Sequence, residues 1–170
     1  MESDRLHDRA YRNDMTSLVY GQDDRVGKFV AQGLHDVSGL EDFGKFVTIG
    51  IEKDGEIVAG AVYNNMRSNG DIPFDMNIAF YASSPAWATR SNMEAILGYP
   101  FQYLKLKRIT ALVKKSNKKV KKLISSLGFQ YEGKARNAWD GENDAYIYGM
   151  LKEEAEMCLD NLKENSHGRR

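Results

Sequence analysis

The chain reads as one α/β domain, a mixed and twisted sheet of about six strands covered by helices on both faces. Its 170 residues suffice for one domain with a sizeable core and are too few for two. Its apolar spacing switches between a period of two and a period of 3.6, giving a helix, a hairpin, then strands alternating with helices. The first two strands are apolar on both faces, which belongs to strands inside a covered sheet. Residues 1–165 are assigned to the domain and the last five, SHGRR, to a disordered tail.

After a charged start, DDRVGKFVAQGLHDV sets Val26, Phe29, Val30, Leu34 and Val37 at helical spacing, with Asp23 and Asp24 as cap candidates. GLEDFG breaks that pattern, and KFVTIGIEKDGEIVAGAVYNN follows as two strands around Asp54-Gly55, a strong hairpin signal. Val47, Ile49 and Ile51 oppose Phe46 across the first strand. In the second, Ile57, Ala59 and Ala61 oppose Val58 and Val62. MRSNGDI reads as a turn. Residues 73–82 read as a third strand with Phe74, Met76, Ile78 and Phe80 on one face and Asp75, Asn77 and Tyr81 on the other.

A helix is expected over residues 89–103, with Thr89 or Ser91 as N-cap, Met93, Ile96, Leu97 and Phe101 inward, and Pro100 kinking or shortening it. A fourth strand, 107–113, precedes a short helix opened by Asn117. There Val120, Leu123, Ile124 and Leu127 make the inward face and Gly128 is the stop. FQYEGKARNAW and DAYIYGML read as two strands about the turn Asp140-Gly141. A last helix, KEEAEMCLDNLKEN, turns Leu151, Ala155, Leu159 and Leu162 inward.

Composition excludes several classes. Lys+Arg and Asp+Glu both number 24, so overall charge selects neither nucleic acid nor a membrane surface. Cys158 is the single cysteine, which rules out an internal disulfide framework and fits a reducing compartment. His7, His35 and His167 stand at no metal-ligand spacing, so no metal is expected. The N-terminal segment has no apolar core, and no stretch approaches the roughly 18 apolar residues of a membrane span. A cytoplasmic protein is the expectation, the host cytoplasm if the gene is carried by a phage.

Two features carry chemistry. The third strand runs into SSPAWATRSN just before a helix start, where a phosphate is often held by first-turn N–H groups. This loop contains no glycine. Lys105, Lys107, Arg108, Lys114, Lys115, Lys118, Lys119, Lys121 and Lys122 form a basic cluster with no acidic residue among them.

The stretch NKKVKKLISSLGFQYEGKARNAW reads Asn, ten residues, Gly-Phe, two residues, Glu-Gly, two residues, Arg. It resembles the C-terminal half of a GNAT-type N-acetyltransferase, and the order of elements over residues 23–151 resembles that family too. The closest likeness is to the divergent GNAT-like proteins of bacteriophages, through Trp87, Ala88, Thr89 and Arg90 and through Tyr99, Pro100 and Phe101. The resemblance implies a GNAT-like sheet, acetyl-CoA as cofactor, and direct transfer of an acetyl group to an amine. It implies cofactor binding by Tyr81 and Ala82 at the strand end, by Trp87, Ala88, Thr89, Arg90 and Ser91 at the loop and helix start, and by Asn117 beside the pantetheine arm. Thr89 and Ser91 offer hydroxyls and Arg90 a charged donor where the family uses glycines. The family's usual tyrosine acid falls on Ile124. Tyr146 is taken as the acid, with Ser125, Tyr131 and Tyr148 as alternatives, and Asp75 as the base with Asn77 holding a water. The basic cluster then has three readings: a solvated face, a site for the 3′-phosphate of CoA, or a nucleic-acid contact. The rival to the enzyme is a GNAT-shaped phage protein that binds or modifies nucleic acid or inhibits a host factor. A monomer and a homodimer are both compatible with the apolar last helix.

Overall fold

The structure, a computed structural model, describes residues 15–34 and 39–167. One seven-stranded sheet runs through the molecule in the order β1-β2-β3-β4-β5-β7-β6. Its strands are β1 (Ser17–Val19), β2 (Phe46–Lys53), β3 (Glu56–Asn69), β4 (Ile72–Ala82), β5 (Arg108–Lys114), β6 (Gln130–Ala135) and β7 (Ala145–Leu151). The helices are α1 (Asp23–Gly33), α2 (Arg90–Gln102), α3 (Lys118–Ser126) and α4 (Lys152–His167). Every neighbouring pair of strands is antiparallel except β4 and β5. The mixed, covered sheet is the one the sequence predicts, with one strand more. β1 has three residues, too few for a period to show, and forms by pairing with the edge of β2.

Local chemistry fixes most boundaries. Asp54 and Gly55 both take left-handed φ, 52° and 84°, as a two-residue turn between twisted strands requires. Thr89 caps α2 by accepting the Asn92 N–H at 3.2 Å, and Asn117 caps α3 by accepting the Val120 N–H at 3.1 Å. Gly128, with φ at 98°, stops the chain after α3. Pro100 is buried in the last turn of α2, which ends two residues later.

Several expectations are corrected. The cap position of α1 is Gln22, with no side-chain cap. The Asp23 carboxylate instead accepts the N–H and the hydroxyl of Thr48, both at 2.8 Å, tying the helix to β2. β3 continues through MRSN, so the turn expected over MRSNGDI shrinks to Gly70-Asp71. That arm is exposed, and pairing slips on either side of Arg67, which hides its period. A bulge at Val58 turns Ile57 toward α1, away from Ala59 and Ala61. Leu151 ends β7 and is exposed, while Ala155 is the buried contact of α4. Val37 and His35 lie outside the described residues, as do residues 1–14 and the tail beyond His167. No described helix is long and apolar enough to cross a membrane.

Two cores hold the sheet. On one face α1 lays Val26 and Val30, both fully buried, onto Gly50 and Gly60. A Cβ on Gly60 would stand 2.8 Å from both valines, so the bare backbone there lets the helix approach. Each valine buried this way contributes roughly 1.5–3 kcal/mol relative to exposure. On the other face α2 and α4 cover the larger core, in which Ile96, Leu97, Phe101 and Ala155 meet Ile49, Tyr63, Ile109 and Met150. β4 alternates as its sequence predicts: Met76, Ile78 and Phe80 face the larger core, and Ala79 and Tyr81 face α1.

Candidate active site

β4 and β5 pair over three positions only, Asp75 with Arg108, Met76 with Ile109 and Asn77 with Thr110. Beyond these the strands part, because β4 stays on β3 as far as Ala82 while β5 stays on β7 as far as Lys114. Backbone N–H groups of residues 78–82 that point away from β3 therefore have no strand partner. The gap opens a cleft of about 550 Å³. Asn77, Ile78 and Phe80 wall it on one side and residues 111–114 on the other, with Met93 and Leu97 of α2 and Val120, Leu123 and Ile124 of α3 above. Val120 and Leu123, expected inward, are each 36% exposed because the cleft lies beneath them. Trp87 lines the cleft and packs on Phe80, ring centres 4.6 Å apart.

Of the residues the sequence singles out, Asn77, Trp87 and Asn117 line this cleft. The Tyr81 ring turns the other way, onto Phe29 at 5.3 Å and onto Gly33, and Ala82 packs against the larger core. Only the backbone of these two faces the parted edge. In the loop, Ala88 N–H donates to the Pro85 carbonyl and Thr89 N–H to that of Trp87, while the Thr89 hydroxyl is engaged at Asn92. The N–H groups of Ala88, Thr89 and Asn92 are therefore spent within the loop and the helix start. The Arg90 guanidinium reaches Glu94 at 2.8 Å, one helical turn on. The start of α2 suits a phosphate, with fewer donors than a glycine loop supplies. Asn117 spends its Oδ1 on the cap of α3, leaving its amide N–H₂ for a ligand.

Asp75 does not line the cleft. It is 3% exposed and held by Arg67 at 2.6 Å, by Arg108 at 3.2 Å and by the Thr110 hydroxyl at 3.0 Å. Arg108 continues to Glu132 at 2.7 Å, so a ladder of charges crosses β3, β4, β5 and β6. It passes over Gly149 of β7, where a Cβ would meet both Glu132 and Arg108. Glu132 above all, with Asp75 beside it, raises the Arg108 pKa. Tyr146 is likewise turned away. Its ring packs on Tyr131 at 5.1 Å and under the Lys121 ammonium at 4.8 Å. Tyr148 belongs to the larger core, where burial raises its pKa, and neither Tyr131 nor Ser125 lines the cleft. Among the described residues no tyrosine lines it.

The basic cluster is partly engaged. Lys114 pairs with Asp140, Lys115 with Asp144, Arg108 with Asp75 and Glu132, and Lys121 donates to the Lys115 carbonyl. Lys118, Lys119 and Lys122 are exposed on the side of α3 away from the cleft. Lys114, a member of the basic cluster, also lines the cleft, and sequence reasoning missed its other polar residues, Asp42, Asn64 and Trp139. These three arrive from separate elements, and only Trp139, a tryptophan beside the Asp140-Gly141 turn, gave a local signal. Asp42 and Lys114 are the one carboxylate and the one cation among the described residues lining the cleft.

This fold, with a parallel pair parting at a cleft, is the fold of N-acetyltransferases of the GNAT type. The chain superposes on a mutant form of the spermidine/spermine N-acetyltransferase SpeG from Vibrio cholerae with a TM-score of 0.65 at 13% identity, covering 84% of this chain and 98% of that one. RimJ of Mycobacterium smegmatis, in complex with CoA-disulfide, gives a TM-score of 0.59 at 21% identity, covering 95% of this chain and 81% of RimJ. The ribosomal-protein-S5-alanine acetyltransferase from Vibrio fischeri gives 0.59 at 14% identity, covering 81% and 92%. At these identities the likeness is one of fold. No protein-family description matches the chain, and no curated protein matches it.

Proposed function

We propose that the protein is an N-acetyltransferase that moves an acetyl group from acetyl-CoA directly to an amine. The observation that carries this reading is the parting of β4 from β5 beyond Asn77 and Thr110. It puts unpaired strand N–H groups on the wall of a cleft of about 550 Å³. Such groups bind a carbonyl oxygen more strongly as it gains negative charge, which is how a fixed backbone lowers the barrier to attack.

Acetyl-CoA supplies a thioester activated toward amines. In this reading the start of α2 holds its phosphates, Trp87 and Asn117 flank its narrow arm, and Val120 and Leu123 line its path. Asn77 orients the incoming amine. Asp42 takes the amine proton in place of Asp75, and Lys114 provides the positive charge of the cleft for the leaving sulfur.

The test is calorimetric titration of the whole chain with acetyl-CoA, followed by thiol release in the presence of amines. Saturable binding with one site, and thiol release that requires both substrates, are expected. No binding at millimolar acetyl-CoA overturns the reading.

A further inference from the structure

The surface around α3 carries positive charge that its surroundings do not answer. Residues 114–136 hold eight lysines and arginines and a single acid, Glu132, in a chain whose Lys+Arg and Asp+Glu both number 24. Glu132 pairs with Arg108. From the β6–β7 loop Asp140 reaches Lys114, and Asp144 is shared between Lys115 and Lys134 at 3.5 and 3.8 Å. Lys118, Lys119, Lys122 and Arg136 are exposed, and their side chains make no ion pair with a described residue.

α3 carries this charge against its own stability. Lys118 and Lys119 stand in its first turn, at the positive end of the helix dipole, and no acid stands with them. Lys118 with Lys122, Lys118 with Lys121, and Lys119 with Lys122 are like charges three or four positions apart, which repel along a helix face. An anion laid along the outer face relieves both repulsions. Beside that face stand two tyrosines. Tyr146 lies under the Lys121 ammonium at 4.8 Å, and Tyr131, 53% exposed, packs on Tyr146 from the edge strand β6. Lys134 is opposite Tyr146 in the pairing of β6 with β7, so it joins both rings on one face of the sheet.

Cations a turn apart on a helix suit a row of phosphates, and a half-exposed ring beside them suits an unstacked base. An acidic peptide would use the cations and leave the ring idle, and a duplex keeps its bases stacked on one another. We infer that this surface, outside the cleft, binds a single-stranded polynucleotide, with Lys118, Lys122 and Arg136 on its phosphates and a base stacked on Tyr131. The surface stands whether or not the cleft transfers acetyl groups.

The experiment titrates the whole chain into a short fluorescein-labelled oligothymidylate, and into oligouridylate of the same length, at several salt concentrations and follows anisotropy. The tighter of the two tells a DNA strand from an RNA strand, and either supports the surface. Saturable binding is expected, with a slope of about 3 in log Kd against log salt, roughly 0.7 for each of the four unpaired cations. Lys118→Gln combined with Lys122→Gln should weaken binding about tenfold and lower that slope by about 1.4. Tyr131→Leu should weaken it about tenfold with the slope unchanged. On the wild type, unlabelled duplex and polyglutamate should displace the oligonucleotide at least tenfold less effectively than its own unlabelled strand, which decides the matter even if a variant fails to fold. Absent or salt-independent binding, an unchanged affinity in Tyr131→Leu, or equal displacement by duplex or polyglutamate overturns the inference. So does loss of acetyl-CoA affinity in step with oligonucleotide affinity in the double lysine variant, which would assign these lysines to the cofactor's phosphates. Failure of the wild type to bind acetyl-CoA overturns the enzyme reading alone.

Discussion

Each oxygen of Asp75 has a partner before any substrate arrives. Thr110 donates to both, and Arg67 and Arg108 crowd Oδ2. A carboxylate so engaged holds strands together. Asp75→Asn keeps the shape and the Thr110 contact but takes the anion from Arg67 and leaves Arg108 with Glu132 alone. Removing one member of a buried pair costs about 3–5 kcal/mol, and with Arg67 half exposed the loss here should be on the order of 2 kcal/mol. Acetyl transfer by the folded variant should stay within a few-fold of wild type, whereas loss of a general base lowers rates about a hundredfold or more. Urea denaturation and initial rates measure the two. A hundredfold slower enzyme of unchanged stability would return Asp75 to the role of base. The sequence displays Asp75 as a charge opposite a clean apolar face, and that much is legible. Its partners are not, since they come from β3 and β5, and the ladder continues only because Gly149 leaves room above β7.

The β6–β7 loop is the element on which the cleft's outer wall depends. Three hydrogen bonds from Asn143 and Glu142, the Asn143 N–H foremost, lower the Asp140 pKa from 3.8 to about 2. A carboxylate acidified by folding stabilises the loop above its unfolded pKa, and that contribution fades as pH falls from about 4 through about 2. The Asn143 amide and the Trp139 indole resonances should therefore hold steady from pH 7 to about 4 and move together below it. Asp140→Asn should reduce that acid-dependent step to the part that Asp144 contributes through the Asn137 N–H; a step of undiminished size in the variant would show that Asp140 does not hold the loop. Elements with a local cue are legible from sequence: the Asp54-Gly55 hairpin, and helices α2 and α3, each capped by one identifiable side chain. Elements without one are not. β1 is three residues long, and the far arm of β3 is exposed on both faces, so neither leaves a hydrophobic period. The loop itself reads as strand on either side of its turn because its order comes from Asp140 and Asp144, which bind backbone several residues away.

At the scale of the whole molecule, the order of elements along the chain is enough to imply a mixed sheet covered on both faces, while its one parallel pair and the place where those strands part emerge only in the structure. The composition of the resulting cleft is not implied, because its polar residues lie on elements that meet only in the folded sheet. The loop SSPAWATRSN lies between these cases: its place before α2 is legible, but the partners of its N–H groups are not. The 3₁₀ turn from Pro85 to Trp87 consumes the N–H groups of Ala88 and Thr89. The backbone and the guanidinium of Arg90 can be separated experimentally. Arg90 is the first residue of α2, a position proline favours, and Thr89 before it is extended at φ −90° and ψ 154°, as a residue preceding proline prefers. Arg90→Pro therefore keeps the helix and loses both N–H and guanidinium, while Arg90→Ala loses the guanidinium alone. With the guanidinium already drawn to Glu94, Arg90→Ala should bind acetyl-CoA within about threefold of wild type. Arg90→Pro should bind roughly tenfold more weakly than Arg90→Ala, the loss expected of one hydrogen bond to a charged phosphate. Calorimetry on the two variants decides it. Equal affinities would show that the start of α2 does not hold the phosphate.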